Sequence, residues 1–240
     1  MLNLRFKYVV ASSGLFVLWA VPKANKMIRE KEKYSLKVRY EHAKCIMNHM
    51  RKRARTTTVV TGKENIPSDG GCIFYSNHQG KYDALGILLA LDKPCGMLFG
   101  KVQASRLLSR QVVGLVEGVV IDLTDPRDEV KAIRKVTEEV GKGRYFLIFP
   151  EGGYTDNKNK LQEFHTGCFS CTLKTKTPVV PVCIYDSYKS MNSNTFEKVE
   201  TQVHFLKPIY YDEYNGMKKP QLAQLVKDRI QEKLDEIEGV

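Results

Sequence analysis

The chain has 240 residues, of which 42% are hydrophobic and 10% aromatic, a composition that excludes a largely disordered protein. Its net charge of +11 is confined to residues 1–55, which hold 14 of the 38 basic residues and 3 of the 27 acidic ones. Residues 56–240 are therefore electrically balanced, and the length suits one domain with a sizeable core.

The first predicted element is an uncharged run of fourteen residues from Tyr8 to Val21. As a helix it would span about 21 Å, which is short of the roughly 30 Å hydrocarbon core of a bilayer. Basic residues flank it, and a basic helix over 23–55 is predicted to follow. We expect residues 1–55 to form an amphipathic, basic membrane anchor that lies in the interface on the cytoplasmic face, with Trp19 at headgroup depth.

Two other interpretations of this N-terminal region remain open. A cleaved secretory signal also has a basic start and an apolar middle, but basic residues directly after the apolar run oppose translocation. An ordinary core helix joined to a solvated, charged helix is the second alternative.

From residue 56 onward, predicted strands alternate with predicted helices. Apolar and β-branched runs predict strands at 56–61, 72–77, 97–101, 119–121, 145–149, 179–184 and 201–206. Helices are predicted at 84–91, from Asp125 and from Pro220. The alternation predicts an α/β domain over residues 56–240, with a mostly parallel sheet flanked by helices. Sites in such sheets form at the carboxyl ends of the strands.

Two polar turns follow predicted strands. The first contains His78 and Asp83 after the strand 72–77, and the second contains Glu151, Gly152 and Gly153 after the strand 145–149. A turn needs glycine and polar residues, but it does not need an imidazole with a carboxylate in reach. Together the two turns predict a site with a base, a carboxylate that orients it and a second carboxylate nearby.

The motifs also resemble a known family. Asn77-His78-x4-Asp83, Phe149-Pro-Glu-Gly152 and Pro178–Val182 occur in the order found in the PlsC-type glycerolipid acyltransferases, the 1-acyl-sn-glycerol-3-phosphate acyltransferase family. The run Gly62–Pro67, Lys101 and the run Val120–Asp122 are similar to that family too. The resemblance covers residues 57 to about 185, and the N-terminal anchor is similar to that of bacterial members.

An acyl-transfer reaction would explain why the first turn contains both His78 and Asp83. Acylation of an alcohol by a thioester requires a base, and neutral imidazole suits that role. We therefore expect His78 to be the general base and Asp83 to fix its tautomer. The resemblance implies that Glu151 and Gly152 position the glycerol end of the acceptor. Backbone amides around Gly152 and Gly153, or at the start of the helix 84–91, are candidates for holding the oxyanion.

The predicted reaction moves an acyl group from acyl-CoA or acyl carrier protein to the sn-2 hydroxyl of 1-acylglycerol-3-phosphate and gives phosphatidic acid. The chain contains no Gly-x-Ser-x-Gly sequence, so direct transfer without an acyl-enzyme is expected. Membrane lysolipid and the acyl carrier are the predicted partners, with no nucleic acid. No cofactor or metal is expected, and the oligomeric state is left open.

The sequence departs from the family pattern at two positions. Tyr154 and Leu123 stand where the family usually has arginines, which are expected to bind the phosphate of the acceptor. The phosphate could instead be bound by Arg127, Lys101, Lys81 or His165. Arg127 is the first choice because it lies in the same block as Leu123. The alternative for Arg127 is a solvated charge in the first turn of a helix. Another lysolipid acceptor therefore stays open.

Two further possibilities come from residue types alone. His165-x2-Cys168-x2-Cys171 has the composition of a metal cluster, but steps of three residues along a helix do not converge on one point, so core cysteines are expected there. The strong basic charge would also suit a nucleic-acid-binding protein. However, the basic helix adjoins an apolar segment, which favours a membrane surface.

Overall fold

A computed structural model describes residues 3–240, which form one sheet with helices on both faces. The strands are β1 (Thr56–Thr61), β2 (Cys72–Ser76), β3 (Cys95–Gly100), β4 (Val119–Ile121), β5 (Tyr145–Ile148), β6 (Val179–Tyr185) and β7 (Val199–Phe205). The order across the sheet is β1-β7-β6-β2-β5-β3-β4, and only the β6–β7 pair is antiparallel among the described residues. The predicted α/β fold with a mostly parallel sheet is confirmed.

The helices of the described chain vary from one turn to five turns. They are α1 (Leu4–Ala11), α2 (Gly14–Arg29), α3 (Leu36–Arg53), α4 (Asp83–Ala90), α5 (Lys101–Ala104), α6 (Ser109–Leu115), α7 (Pro126–Gly141), α8 (Ser170–Thr175), α9 (Tyr188–Met191), α10 (Tyr211–Tyr214) and α11 (Lys219–Glu238). Helix α7 begins after Asp125, whose side chain accepts a hydrogen bond from the Arg127 amide and so caps the first turn.

The N-terminal region differs from its prediction in two respects. The apolar run 8–21 is not one helix, because α1 and α2 meet at a bend of 71° around Ser12 and Ser13. The Ser13 hydroxyl donates to the Val9 carbonyl at 2.6 Å, so it takes part in ending α1. The predicted basic helix is likewise interrupted, between Arg29 and Leu36.

Two hydrophobic core layers cover the two faces of the sheet. The first core layer lies between the sheet and helices α2, α3, α4 and α6, and it contains Phe74 and Leu147. The second core layer lies under α7, α8 and α11, and it contains Tyr75 and Ile148. Alternating residues of one strand enter opposite layers, as the pleat requires. Helices α2 and α3 bury side chains in the first core layer, while the division of the chain at residue 55 stays a prediction.

Helix α1 is attached to the segment 188–197 by a buried cation. The Arg5 side chain is 1% exposed, and its guanidinium donates to the carbonyls of Lys189 and Glu197 and to the Ser193 hydroxyl. Tyr8 packs edge-on against Phe196, with ring centroids 5.3 Å apart. A buried arginine is tolerated because carbonyl oxygens satisfy its donors.

The length and apolar composition of each helix decide whether it could cross a bilayer. Among the helices of residues 3–240, no single one is long and apolar enough to cross a bilayer, whereas the bent pair of α1 and α2 together meets that condition. Helix α2 exposes Leu15, Leu18 and Trp19, which are 87%, 73% and 50% accessible.

Candidate active site

The two polar turns meet because their strands are neighbours. Strands β2 and β5 run parallel with Tyr75 opposite Ile148, so both chains leave the sheet at the same edge. The backbone N–H of His78 donates to Glu151 Oε1 at 3.1 Å. The structure thus brings together the base, its carboxylate and the second carboxylate that the sequence predicted.

His78 and Asp83 form a short pair. Nδ1 of His78 lies 2.6 Å from Oδ2 of Asp83. An ionised carboxylate can only accept, so Nδ1 carries the proton and Nε2 keeps its lone pair. Nε2 makes no hydrogen bond within residues 3–240, and His78 lines a cavity. The arrangement leaves Nε2 available to accept a proton and would suit a general base.

Asp83 is itself held by several donors. Its Oδ2 also accepts from the backbone amides of Gln79 at 2.5 Å and Gly80 at 2.8 Å, and its Oδ1 accepts from the Ser187 hydroxyl at 2.5 Å. The carboxylate is 1% exposed. Ser187 was not predicted, although it follows β6, the other neighbour of β2, at the same edge of the sheet. These donors fix the carboxylate, and through it the imidazole, in one orientation.

Aromatic rings fix the plane of the imidazole. Phe149 stacks on His78 at 4.2 Å between centroids, and Tyr154 meets it edge-on at 4.7 Å. The Asn157 amide donates to the His78 carbonyl at 3.1 Å. The side chain is 18% exposed, so the ring is mostly withdrawn from solvent.

Glu151 faces the turn of His78 rather than the cavity. It is 7% exposed, its Oε1 accepts from the His78 amide, and its Oε2 accepts from Gln162 Nε2 at 2.5 Å. Burial raises the pKa of Glu151 above its usual value. Both oxygens have protein donors, so the geometry indicates that Glu151 holds the turn of His78 in place. The contact with the acceptor that the resemblance implied stays a prediction.

The two glycines after Glu151 differ. Gly152 has a φ of +69°, and a Cβ there would lie 3.0 and 3.1 Å from ring atoms of His165, so this position requires glycine. Its amide donates to the Phe149 carbonyl. The Gly153 amide has no hydrogen-bond partner within the described part of the chain, and Gly153 lines the cavity. Gly153 is therefore the better candidate for holding an oxyanion.

The cavity beside His78 has a volume of about 670 Å³. Side chains of both core layers line it: Met47, Leu88 and Val112 come from the first, and Ile121, Ile133 and Ile148 from the second. Lys81, Arg106, Tyr154 and His165 are among its polar lining residues. A cavity of this size with an apolar lining and few polar groups suits a ligand with a long hydrocarbon part.

Two predicted substrate contacts lie elsewhere. The Lys101 ammonium pairs with Asp122 at 3.0 Å and is 70% exposed, and the exposed Arg127 lies at the start of α7. Neither side chain lines the cavity. The hydroxyl of Thr124 and the Lys101 ammonium lower the pKa of Asp122 to about 2. An ion pair holds Lys101 and Arg127 faces solvent, and a contact of either residue with the acceptor stays a prediction.

The cysteines that follow His165 are packed in the second core layer. The Cys168 thiol donates to the His165 carbonyl at 3.2 Å, and the Cys171 thiol donates to the Cys168 carbonyl. Burial raises the pKa of both thiols. Within residues 3–240, no three His, Cys, Asp or Glu side chains come together as a metal site.

Comparison with known proteins places this geometry in a family. Residues 57–185, more than half of the chain, match the Acyltransferase family. A chloroplastic 1-acyl-sn-glycerol-3-phosphate acyltransferase of Brassica napus is 31% identical over 74% of this chain and 51% of its own length. The 1-acyl-sn-glycerol-3-phosphate acyltransferase of Borreliella burgdorferi is 29% identical over 75% of this chain and 72% of its own.

The chain thus spans about half of the plant relative and a larger share of the bacterial one. A crystal structure of the 1-acyl-sn-glycerophosphate acyltransferase PlsC from Thermotoga maritima has the same fold, with a TM-score of 0.76, 22% identity and coverage of 99% of this chain and 95% of that one. The resemblance seen in the motifs is confirmed: the chain belongs to the Acyltransferase family.

Proposed function

We propose that the chain is an enzyme that transfers a fatty acyl group from an acyl thioester to the sn-2 hydroxyl of 1-acylglycerol-3-phosphate and so forms phosphatidic acid. The observation that carries the proposal is the free Nε2 of His78, oriented by Asp83, at a cavity with an apolar lining. Relatives named for this activity support the choice of acceptor.

In the proposed mechanism His78 moves a single proton. Its Nε2 accepts the hydroxyl proton as the acceptor oxygen attacks the thioester carbonyl, and Asp83 stabilises the imidazolium that forms. The Gly153 amide faces the negative oxygen of the tetrahedral intermediate. The carbon–sulfur bond then breaks, and the proton leaves with the thiol. The products are the ester and free thiol, either CoA or acyl carrier protein, with no acyl-enzyme.

The N-terminal helices are proposed to attach the enzyme to the cytoplasmic face of a membrane without spanning it. The exposed Leu15, Leu18 and Trp19 on α2 supply apolar contact, and the Lys23 ammonium lies 5.1 Å from the Trp19 ring. An apolar face bordered by cations suits an anionic lipid surface. Such attachment would place the cavity next to its lipid acceptor.

A purified full chain in mixed micelles tests the reaction. It is incubated with a panel of lysolipids and with acyl-CoA or acyl carrier protein as donor, and the products are identified by mass spectrometry. Formation of phosphatidic acid is expected, and His78→Ala should lower kcat at least about 100-fold. His204→Gln, on β7 away from the cavity, serves as the matched control. Near-normal turnover by His78→Ala, or acylation of other lysolipids only, would overturn the proposal.

Membrane attachment has a separate test. Native membranes that contain the chain are washed with high salt and then with detergent. Retention through the salt wash and release by detergent are expected, because apolar burial is insensitive to ionic screening. Complete release by salt, together with salt-dependent binding to DNA, would favour the nucleic-acid interpretation instead.

A further inference from the structure

The cavity contains two cations with no carboxylate partner. Among the described residues that line it, Lys81 and Arg106 are the lysine and the arginine. Neither forms a salt bridge within residues 3–240, whereas Lys101, outside the cavity, is paired with Asp122. Unpaired cations that share a cavity with an oriented base indicate a site for an anionic group.

Lys81 is fixed close to the base. It lies in the turn between His78 and Asp83, and its backbone amide and its ammonium both donate to Asn192 Oδ1, at 3.2 and 3.3 Å. Its Nζ lies 5.6 Å from the centre of the Phe6 ring and 5.9 Å from that of the Tyr154 ring, and Tyr154 also meets the imidazole of His78 edge-on. The ammonium and the imidazole are therefore both neighbours of Tyr154.

The electrostatics of the pair are unfavourable without a ligand. Burial lowers the pKa of Lys81, and the positive charge of Arg106 lowers it further. A bound anion would relieve both effects, since it replaces lost hydration and offsets the repulsion between the two cations. Arg106 is exposed at the cavity, so its guanidinium can meet a phosphate in the bidentate mode.

We propose that Lys81 and Arg106 bind the phosphate of the lysolipid acceptor in the cavity beside His78. This inference rests on the proposed function. In a 1-acylglycerol-3-phosphate the phosphate and the sn-2 hydroxyl are on adjacent carbons, which suits a cation and an imidazole that both neighbour Tyr154. The phosphates of acyl-CoA are separated from the thioester by the long pantetheine arm, so they would lie far from the base.

The test uses the full chain in mixed micelles and the variants Lys81→Gln and Arg106→Gln. Each should raise the KM for 1-acylglycerol-3-phosphate about tenfold or more, the usual effect of losing a charge-assisted hydrogen bond. The KM for acyl-CoA should change less than twofold. Lys81→Arg should restore most of the affinity, and Lys131→Gln and Arg134→Gln on the exposed face of α7 are the matched controls.

Direct binding provides a second measurement. Titration of 1-acylglycerol-3-phosphate into the His78→Ala protein should give a Kd that rises by a similar factor when Lys81→Gln or Arg106→Gln is added. An unchanged acceptor KM in both variants, or a rise in the KM of acyl-CoA alone, would overturn the inference while leaving the proposed function intact. A wild-type chain that acylates no lysolipid would overturn both.

Discussion

The carboxyl ends of β2 and β5 differ sharply from those of β3 and β4, although all four belong to one parallel part of the sheet. The first pair of ends carries His78, Asp83 and Glu151, where both carboxylates are buried, Asp83 with four donors and Glu151 with two. The second pair carries Lys101 and Asp122, which form an exposed ion pair.

The two pairs of strand ends differ in the contacts that hold their charged side chains in place. A buried carboxylate with several donors has one arrangement, and losing one partner leaves a desolvated polar atom without a bond. An exposed ion pair contributes little, because water and salt replace it readily. The groups with a fixed geometry are therefore at the centre of the sheet. Substitutions at the two pairs of strand ends should differ accordingly in their effect on activity, from the largest loss at Asp83 to the smallest at Lys101.

Asp83→Asn should have the largest effect. The amide carries no charge to stabilise the imidazolium, and its NH₂ group would face either the Ser187 hydroxyl or the backbone amides of Gln79 and Gly80. We expect kcat to fall about 10²–10⁴-fold with KM changed little. Steady-state kinetics check this, with Asp92→Asn at an exposed ion pair as the control. A loss below tenfold would mean that the orientation of His78 does not depend on the carboxylate.

Glu151→Gln should come next. The amide oxygen of the new side chain can still accept from the His78 amide, but its NH₂ group would then meet the NH₂ of Gln162. We therefore expect kcat to fall about tenfold and the free energy of unfolding to fall by about 1–3 kcal/mol. Urea unfolding and kinetics measure the two losses.

The same variant has a signature in pH. Because the pKa of Glu151 is raised on folding from its usual 4.5, its contribution to stability is largest below that value and is lost as the pH rises through the folded pKa. Urea unfolding from pH 4.5 upward should show this decline in the wild type and not in Glu151→Gln. Parallel curves for the two proteins would contradict a buried, ionising Glu151.

Ser187→Ala should have a moderate effect. It removes the donor to Asp83 Oδ1 and leaves the donors to Oδ2 in place, so a decrease in kcat of about fivefold is expected, equivalent to about 1 kcal/mol. Ser187→Thr keeps the hydroxyl and should restore most of the loss. Equal kinetics for the alanine and threonine variants would show that the hydroxyl does not act through Asp83.

Lys101→Ala should have the smallest effect, below twofold in kcat/KM. The folded pKa of Asp122, about 2, lies below the usual 3.8, so the pair contributes above pH 3.8 and its contribution is lost as the pH falls through about 2. Removing the lysine should raise the pKa of Asp122, which carboxylate chemical shifts report. A tenfold loss of activity would support Lys101 as a substrate contact and would contradict the expected difference between the two pairs of strand ends.

Much of the fold follows from local sequence. The β-branched run 56–61 and the short run 119–121 have the predicted bounds as strands. The bend between α1 and α2 was missed because apolar residues surround Ser12 and Ser13, and hydrophobicity alone does not distinguish one interfacial helix from two.

The site shows the same limit at longer range. His78, Asp83 and Glu151 could be identified because each lies just beyond a strand. Ser187 could not, since it joins the site only because β6 neighbours β2, which no local pattern contains. Gln162 could not either, since it reaches Glu151 through an irregular segment after β5 that has no periodicity to read. Arg127 was chosen because it lies in the same block as Leu123, and Lys101 because of the family resemblance. Neither side chain lines the cavity, and their contact with the acceptor stays a prediction.

The hydrogen bonds between Arg5 and the segment 188–197 have a practical consequence. Phe6 of the same helix lines the cavity, and the Asn192 side chain in that segment packs against Gly80 and bonds to Lys81. A recombinant form that begins after Ser12 would lack Phe6 in the cavity lining and the Arg5 contacts with the segment that holds Lys81. Turnover should therefore be measured on a chain that retains α1, because this helix contributes a residue to the cavity lining as well as to the fold.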